Sequence, residues 1–332
     1  MNVLGVCAGN GVILHPFRKH LMGNIEIRSV FHTSKNEQWY SNFTCCIDKK
    51  LYQRPYTNVD VIIGNPDCGH SSVLSYSRKK SLGNPKQNDS INTYIKAVWN
   101  YNPDFFLMEN LPKFIETFGK ESLEMAFAKY NLVFNIFPVS YLGNSQVSRI
   151  RLIIVGVHRR LGKKLASKFK IKENNNHILK SSIELVGDLD YPNKKLCHIR
   201  ESIKEEITIY AGKKLPLKEI QRIWLEDISD SKRWVVTDRK FSTAPGVYRN
   251  LPNELPLTAR KANRQFNHEG LMMSPRELAR IQGIPDSFKL YYRKAQKKYW
   301  INKGRATVAK SPPYEVGVWF YKRLRKLILK NN

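Results

Sequence analysis

No stretch of this 332-residue sequence stays apolar for the roughly 20 residues that a bilayer-spanning helix requires, and its first residues lack a signal peptide's charged start and apolar run. We therefore expect a protein of the cytoplasm with no membrane partner. Cysteine is scarce and badly spaced for crosslinking or for metal. Cys7, Cys45, Cys46, Cys68 and Cys197 are odd in number and include no CxxC. That pattern argues against a disulfide framework and against a zinc module, fits a reducing compartment, and leaves Cys197-His198 as a structural pair with no metal expected. Acidic residues are the third shortage. Asp plus Glu number 28 against 56 Lys plus Arg, a formal charge of +28. An excess of that sign, spread along the whole length, draws in a polyanion, and with no membrane segment in view nucleic acid is the better partner. An AT-rich genome would also enrich Lys, Asn and Ile.

What is present is a folding chain. Hydrophobic residues make up 42%, and the length suits one large α/β domain plus a smaller one. Residues 2–7 form an apolar run that breaks into Ala8-Gly9-Asn10-Gly11, followed by the start of a helix. Strand, glycine turn and helix together admit a nucleotide-like ligand close to backbone N–H groups, although a lone GxG is weak evidence. A second strand over 25–31 ends at His32-Thr33, a short run reaches Asp48, and Val59 to Ile63 form a β-branched strand. This is the spacing of successive βαβ units in a parallel sheet. A helix is expected from about 91 to 101, a strand over 103–111, an amphipathic helix over 113–130, and strands over 132–139 and 152–157.

Three places carry chemistry. The strand at 59–63 breaks at Gly64-Asn65-Pro66-Asp67 and delivers Cys68 just past its carboxyl end, where reactive groups collect in open α/β sheets. Cys68 reads either as a nucleophile or as a small apolar filler. The strand over 103–111 ends in Glu109-Asn110 at the same edge, so Glu109 reads as a buried general acid or as an N-cap or loop acid. Arg149 and Arg151 alternate and so share a face, fit either to hold a phosphate or a pyrimidine carbonyl or to solubilise an edge strand. The polar stretch 73–90 reads as a loop longer than a connection requires.

Composition shifts near 158–180, where a linker is expected, and residues from about 190 to 255 scatter Tyr210, Trp224, Trp234, Phe241 and Tyr248 among basic residues. That mixture suits a nucleic-acid surface, while each aromatic alone suits a core. Ser274-Pro275-Arg276-Glu277 opens a helix with a cap, a proline at the first helical position and a capping-box acid, and Gly283 with Pro285 closes it. A C-terminal amphipathic helix follows Ser311-Pro312-Pro313-Tyr314.

In order, the glycine turn at 8–11, the Pro/Cys stretch at 66–68, Glu109-Asn110, Arg149-x-Arg151 and the run Ser-Pro-Arg-Glu-Leu-Ala-Arg-Ile-Gln-Gly-Ile-Pro-Asp-Ser-Phe at 274–288 resemble the DNA cytosine-5 methyltransferases. The resemblance runs across nearly the whole chain. It implies an α/β fold with a Rossmann-like, S-adenosylmethionine-dependent methyltransferase sheet and a smaller, mostly irregular or β target-recognition domain. The implied division is 1–175 catalytic, 176–260 target recognition, and 261–332 a C-terminal segment returning to the catalytic domain.

It further implies that Cys68 is the nucleophile adding to a flipped-out cytosine, that Glu109 protonates the base, that Asn110 holds the turn, and that Arg149 and Arg151 orient the base. Cofactor contacts would fall on Cys7, Ala8, Gly9, Asn10, Gly11, His32, Asp48, Pro66 and Asp67. Double-stranded DNA is the implied partner, the protein a monomer of a bacterial or phage-infected cell, with a restriction endonuclease as a further partner. Several positions depart from the family's pattern: Cys7 stands for an aromatic residue, Asp67 for Pro, Gly69 for Gln, residues 30–34 lack an acid, Ala309-Lys310 replaces Gly-Asn, and Gln146 sits one place early. They leave open a modified S-adenosylmethionine, a DNA-binding paralogue without turnover, and an RNA substrate.

Overall fold

The computed structural model describes residues 1–9, 11–19, 27–30, 47–48, 58–66, 89–187, 189, 207–210, 213–216, 234–237, 247–249, 253, 255–256, 265–266, 273, 275–288 and 308–331. The chain folds into two compact units: Met1–Leu142, Arg149–His177 and Ser311–Asn332 form the first, Gly143–Ser148 and Ile178–Lys310 the second.

Among the described residues the first unit holds a seven-stranded sheet of β1 (Val3–Val6), β2 (Ile27–Val30), β3 (Ile47–Asp48), β4 (Val61–Gly64), β5 (Phe105–Asn110), β6 (Tyr130–Pro138) and β7 (Ile150–His158). The strand order is β3-β2-β1-β4-β5-β7-β6. β1 through β5 pair in parallel, and β7 alone runs against its neighbours β5 and β6. Order along the sheet reverses between β1 and β4, the switch point at which open α/β sheets admit ligands beyond their carboxyl ends. β7, being antiparallel, begins at that same edge.

β1 and β4 are buried on both faces, which is why they read as unbroken apolar runs. Alternation sends Val61, Ile63 and Leu107 into one layer and Ile62, Phe106 and Met108 into the other. The first layer is covered by α1 (His15–Lys19) and, with Val316 and Phe320, by the C-terminal helix. The second is covered by α2 (Asp89–Tyr101) through Ile91, Tyr94 and Val98, and by α3 (Lys113–Phe118) and α4 (Lys120–Ala126). The helix expected over 113–130 is two, because the chain leaves helical geometry at Gly119 (φ 76°, ψ 139°), and the next strand starts at Tyr130. α5 (Lys163–Ser167) ends the first unit's central segment.

The second unit contains α6 (Ser182–Val186), a five-stranded sheet in the order β12-β11-β10-β8-β9, and α7 (Pro275–Ile281). Its strands are β8 (Ile207–Tyr210), β9 (Lys213–Pro216), β10 (Trp234–Thr237), β11 (Val247–Arg249) and β12 (Gln265–Phe266). Tyr210, Trp234 and Tyr248 therefore lie on strands, while Trp224 and Phe241 fall outside the described residues. Arg280 forks onto Asp286 at 2.6–3.1 Å, and Arg276 donates to the carbonyls of Pro285 and Phe288. The long motif thus binds itself into a helix and turn, with Ser274 outside the described residues. α8 (Tyr314–Asn331) closes the chain in the first unit. Among the described residues no helix is long and apolar enough to cross a membrane.

β1 and β4 approach so closely at the switch point that a Cβ at Gly64 would lie 2.0 Å from the Val6 carbonyl oxygen and 2.5 Å from the Tyr94 ring. Backbone cannot swing aside as a side chain can. Gly64→Ala should therefore cost about 3 kcal/mol, the upper end of ordinary overpacking, in urea denaturation. An unchanged midpoint would show that the strands do not meet as described.

Candidate functional site

The carboxyl ends of β1, β4 and β5 and the start of β7 bring four pieces of sequence to one sheet edge. After β1 the chain makes a tight turn with positive φ at Cys7 (53°), Gly9 (63°) and Gly11 (79°). Alternating left-handed residues turn backbone amides toward one side, a geometry suited to polar or anionic ligand groups. The Gly11 N–H donates to the Ala8 carbonyl at 3.0 Å, and the chain continues through a 3₁₀ turn (Val12–Leu14) into α1, which is only five residues long. Polarity here comes from the turn's own amides, since so short a helix contributes little dipole.

β4 ends in Gly64, Asn65 and Pro66. The Asn65 N–H donates to the Cys7 carbonyl at 3.2 Å, which fastens this turn to the first. In the next strand, Glu109 is 2% exposed and Asn110 is 1% exposed. Asn110 donates from Nδ2 to the Pro66 carbonyl at 3.3 Å and accepts at Oδ1 from the Leu111 N–H at 2.8 Å, so it holds the β4 and β5 turns together. The Asn65 amide Nδ2 donates to Glu109 Oε2. Arg151 Nε lies 3.0 Å from Glu109 Oε1.

Strand register explains the last contact. Glu109 stands opposite Ile153, so Arg151, two residues earlier on the antiparallel β7, is its diagonal neighbour on the same face. Burial pushes the Glu109 carboxyl above the ordinary glutamate value, and Arg151, Arg149 and the Asn65 amide hold it back. A carboxyl so placed exchanges a proton at a pH closer to neutral than an exposed one would.

Arg149 and Arg151 share a face as the alternation implied, but their surroundings differ. Arg149 is 1% exposed and donates from a terminal guanidinium nitrogen to the Ser311 carbonyl at 2.5 Å. Burial and the Arg151 charge lower its pKa to about 9, opposed by Glu109 and Glu315, so it stays charged at neutral pH. β7 lies between β5 and β6, which removes the reading of these arginines as decoration on an edge strand. Gln146 is buried in the second unit, where its backbone N–H donates to Asn144 Oδ1 at 2.8 Å.

On the cofactor side, Ala8, Gly9 and Gly11 lie in the glycine turn and buried Pro66 in the β4 turn. The Cys7 side chain is buried and its Sγ donates to the Ser90 carbonyl at 3.4 Å, the first turn of α2, so Cys7 meets the edge through its backbone. Asp48 ends β3 opposite Val30 at the end of β2. Asn10, His32, Asp67 and Cys68 lie outside the described residues. The glycine turn at the carboxyl end of β1, where backbone rather than side chain lines the edge, fits S-adenosylmethionine. Among the described residues no cluster of His, Cys, Asp or Glu could hold a metal ion. Asn65 is not among the residues that the sequence singles out. Its one signal there is a polar side chain placed immediately after a buried strand.

Residues 1–303 match the sequence profile of the family described as C-5 cytosine-specific DNA methylase. The type II methyltransferase M.FnuDI of Fusobacterium nucleatum is 25% identical over 282 residues, 81% of this chain and 77% of its own length. Two solved structures share the fold over nearly the whole of both chains. A Spodoptera frugiperda DNMT2 variant has a TM-score of 0.62 at 14% identity, covering 97% of this chain and 99% of its own. A candidate DNA modification methyltransferase encoded within an E. coli prophage has 0.59 at 17%, covering 98% and 99%.

Arg151 is the strongest influence holding the Glu109 carboxyl down, so Arg151→Met should move it further upward. A carboxyl raised in the folded state favours folding below its unfolded pKa and loses that contribution as pH rises through the folded one. The variant should therefore lose little stability at about pH 5 and about 3 kcal/mol at about pH 8, read from urea denaturation at both. Equal losses at the two pH values would remove this pair from control of Glu109.

Proposed function

This chain belongs to the C-5 cytosine-specific DNA methylase family, and we infer that it transfers a methyl group from S-adenosylmethionine to C5 of a cytosine flipped out of double-stranded DNA. The observation that carries this reading is the buried Glu109 carboxyl, held between the Asn65 amide and Arg151 at the carboxyl ends of the sheet. Cys68 follows Pro66 by two peptide units, a reach of roughly 7 Å at most, and Pro66 is itself tied to Asn110 beside Glu109.

Cytosine C5 is a poor nucleophile, and these residue types answer that difficulty. The Cys68 thiolate adds to C6, a C–S bond forms, and the electron pair of the C5–C6 double bond moves toward C5 and N3. Glu109 delivers its proton to N3 and stabilises the charge that develops there. S-adenosylmethionine, held at the glycine turn of residues 8–11, would supply an electrophilic methyl group for the activated C5, with S-adenosylhomocysteine as the thioether released. A base, water or hydroxide, then takes the C5 proton, the C–S bond breaks to release the Cys68 thiolate, and N3 gives its proton back to Glu109, so that the ring and both residues are restored. Arg151 orients the Glu109 carboxyl and stands ready for the base carbonyl, and Arg149, occupied by Ser311, fixes the start of β7.

Because C6 is unreachable inside a duplex, the base must leave the stack. The charge of +28 gives a salt-dependent, sequence-independent grip on phosphate. Residues 176–260, which include β8 to β11, take the target-recognition role. We read the changed positions around the cofactor as divergence, with unmodified S-adenosylmethionine as the methyl donor. The protein works as a cytoplasmic monomer, and likeness to a type II methyltransferase supports a restriction endonuclease as its partner.

Transfer of tritium from labelled S-adenosylmethionine to duplex DNA, with tRNA alongside, tests the reading. Duplex DNA should be labelled, Cys68→Ala should abolish labelling, and Glu109→Gln should slow it by about 100-fold or more. DNA containing 5-fluorocytosine should trap the wild-type protein covalently and not the Cys68→Ala variant. Labelling of tRNA alone would move the substrate to RNA, and no labelling by a folded wild type would leave a DNA-binding paralogue.

A further inference from the structure

We infer that Asn65 is a further positioning residue of this site, its carboxamide clamped between the glycine turn and Glu109 so that the carboxyl is aimed and the two turns move as one. The inference deepens the methyl-transfer reading and rests on it.

Two hydrogen bonds and its place beside Gly9 single out Asn65. Its Nδ2 donates to Glu109 Oε2, leaving Oε1 to Arg151. Its backbone N–H donates to the Cys7 carbonyl at 3.2 Å. Its Oδ1 faces Gly9, where a Cβ, if there were one, would stand 3.7 Å away. One residue thus binds the acid through its side chain and the turn of β1 through its backbone, with its side-chain oxygen facing Gly9. It has little freedom of its own, because Gly64 before it is packed against Val6 and Tyr94, and Pro66 after it is bound by Asn110.

The amide suits an acid that changes protonation state. To an ionised Glu109 the Nδ2–H donates, as observed. To a protonated Glu109 the Oδ1 can accept after rotation about the Cβ–Cγ bond, so neither state leaves a buried polar group unpaired. Aspartate at this place would only accept from Glu109 and would set a second carboxyl beside the first. Alanine would do neither. Because the Asn65 amide also helps hold the Glu109 carboxyl down, its loss should let burial raise that carboxyl further.

The experiment compares Asn65→Ala, Asn65→Asp and Asn65→Ser with wild type by two readouts. The first is a ¹³C-carboxyl titration of glutamate-labelled protein, with Glu109 assigned from Glu109→Gln, which needs no turnover. Asn65→Ala should move the Glu109 titration upward, Asn65→Asp should move it further, and Asn65→Ser should lie between wild type and Asn65→Ala. The second is the pH profile of steady-state methyl transfer. Its alkaline limb should shift upward in the same order, with kcat lowered about tenfold or more in Asn65→Ala and KM for S-adenosylmethionine within about threefold of wild type. If every variant loses only thermal stability while the Glu109 titration and the pH profile stay put, Asn65 is a turn residue and the inference fails. If the titration moves as stated in a protein without methyl transfer, Asn65 still positions Glu109 and the functional reading is what falls.

Discussion

A single buried carboxyl organises the working edge of this protein. Glu109 is almost fully out of water, a location that costs several kcal/mol for an uncompensated carboxylate. It is tolerated because both oxygens are engaged, Oε1 by Arg151 and Oε2 by Asn65. Each partner is brought by a different strand, and each for a topological reason. β4 runs parallel to β5 and delivers Asn65 from its carboxyl end, while β7 runs antiparallel and delivers Arg151 from its beginning. Reversing one strand in an otherwise parallel array is what places a cation at an edge where parallel strands otherwise present only their ends.

The same logic extends outward from Arg149. Its guanidinium is as deeply buried as Glu109, and the Ser311 carbonyl receives it at the point where the chain re-enters the first unit. From there α8 lays Phe320 and Tyr321 against Phe17, with ring centroids 6.3 and 5.4 Å away. A Cβ at Gly317 would lie 2.3 Å from the Ile13 carbonyl, so helix and glycine-turn segment touch without room for a side chain. The last 22 residues therefore support both ends of the working edge: the start of β7 through Ser311 and the segment after the glycine turn through α8. Residues 13 and 317 meet across almost the full length of the chain, and the loop-closure cost of joining them must be met by packing of this quality.

Much of this was legible in the sequence because burial and period write themselves into residue type. β1 and β4, enclosed on both faces, appear as uninterrupted apolar runs, and the acid and amide at 109–110 follow directly on such a run. Alternation places Arg149 and Arg151 on one face, and helix punctuation marks the start of α7 at Pro275. What alternation does not express is depth. Two arginines of the same face differ in solvent and in partner because one meets a backbone carbonyl 162 residues away and the other meets Glu109. Asn65 is inconspicuous for a similar reason. Asn before Pro reads as turn chemistry, and only the pairing of β4 with β5 turns its side chain toward an acid. The break at Gly119 is hidden because an amphipathic period continues across it.

The most distinctive stretch of sequence and the most reactive stretch of structure are different places. Residues 275–288 form a helix and turn of the second unit, in which Arg280 and Arg276 bind Asp286 and two local carbonyls, while Arg280 also reaches the Leu185 carbonyl and Gln282 that of Val308. The chemistry is held by short, individually ordinary pieces: an Asn-Pro, a Glu-Asn, an alternate Arg. Long motifs arise where many side chains must satisfy one another locally, since each constrains its neighbours in sequence. A site assembled from the ends of four strands imposes its constraints across the sheet, between residues far apart in the chain. For this fold, then, the order of the short pieces along the sequence carries the chemical information, because strand order converts it into proximity at one edge.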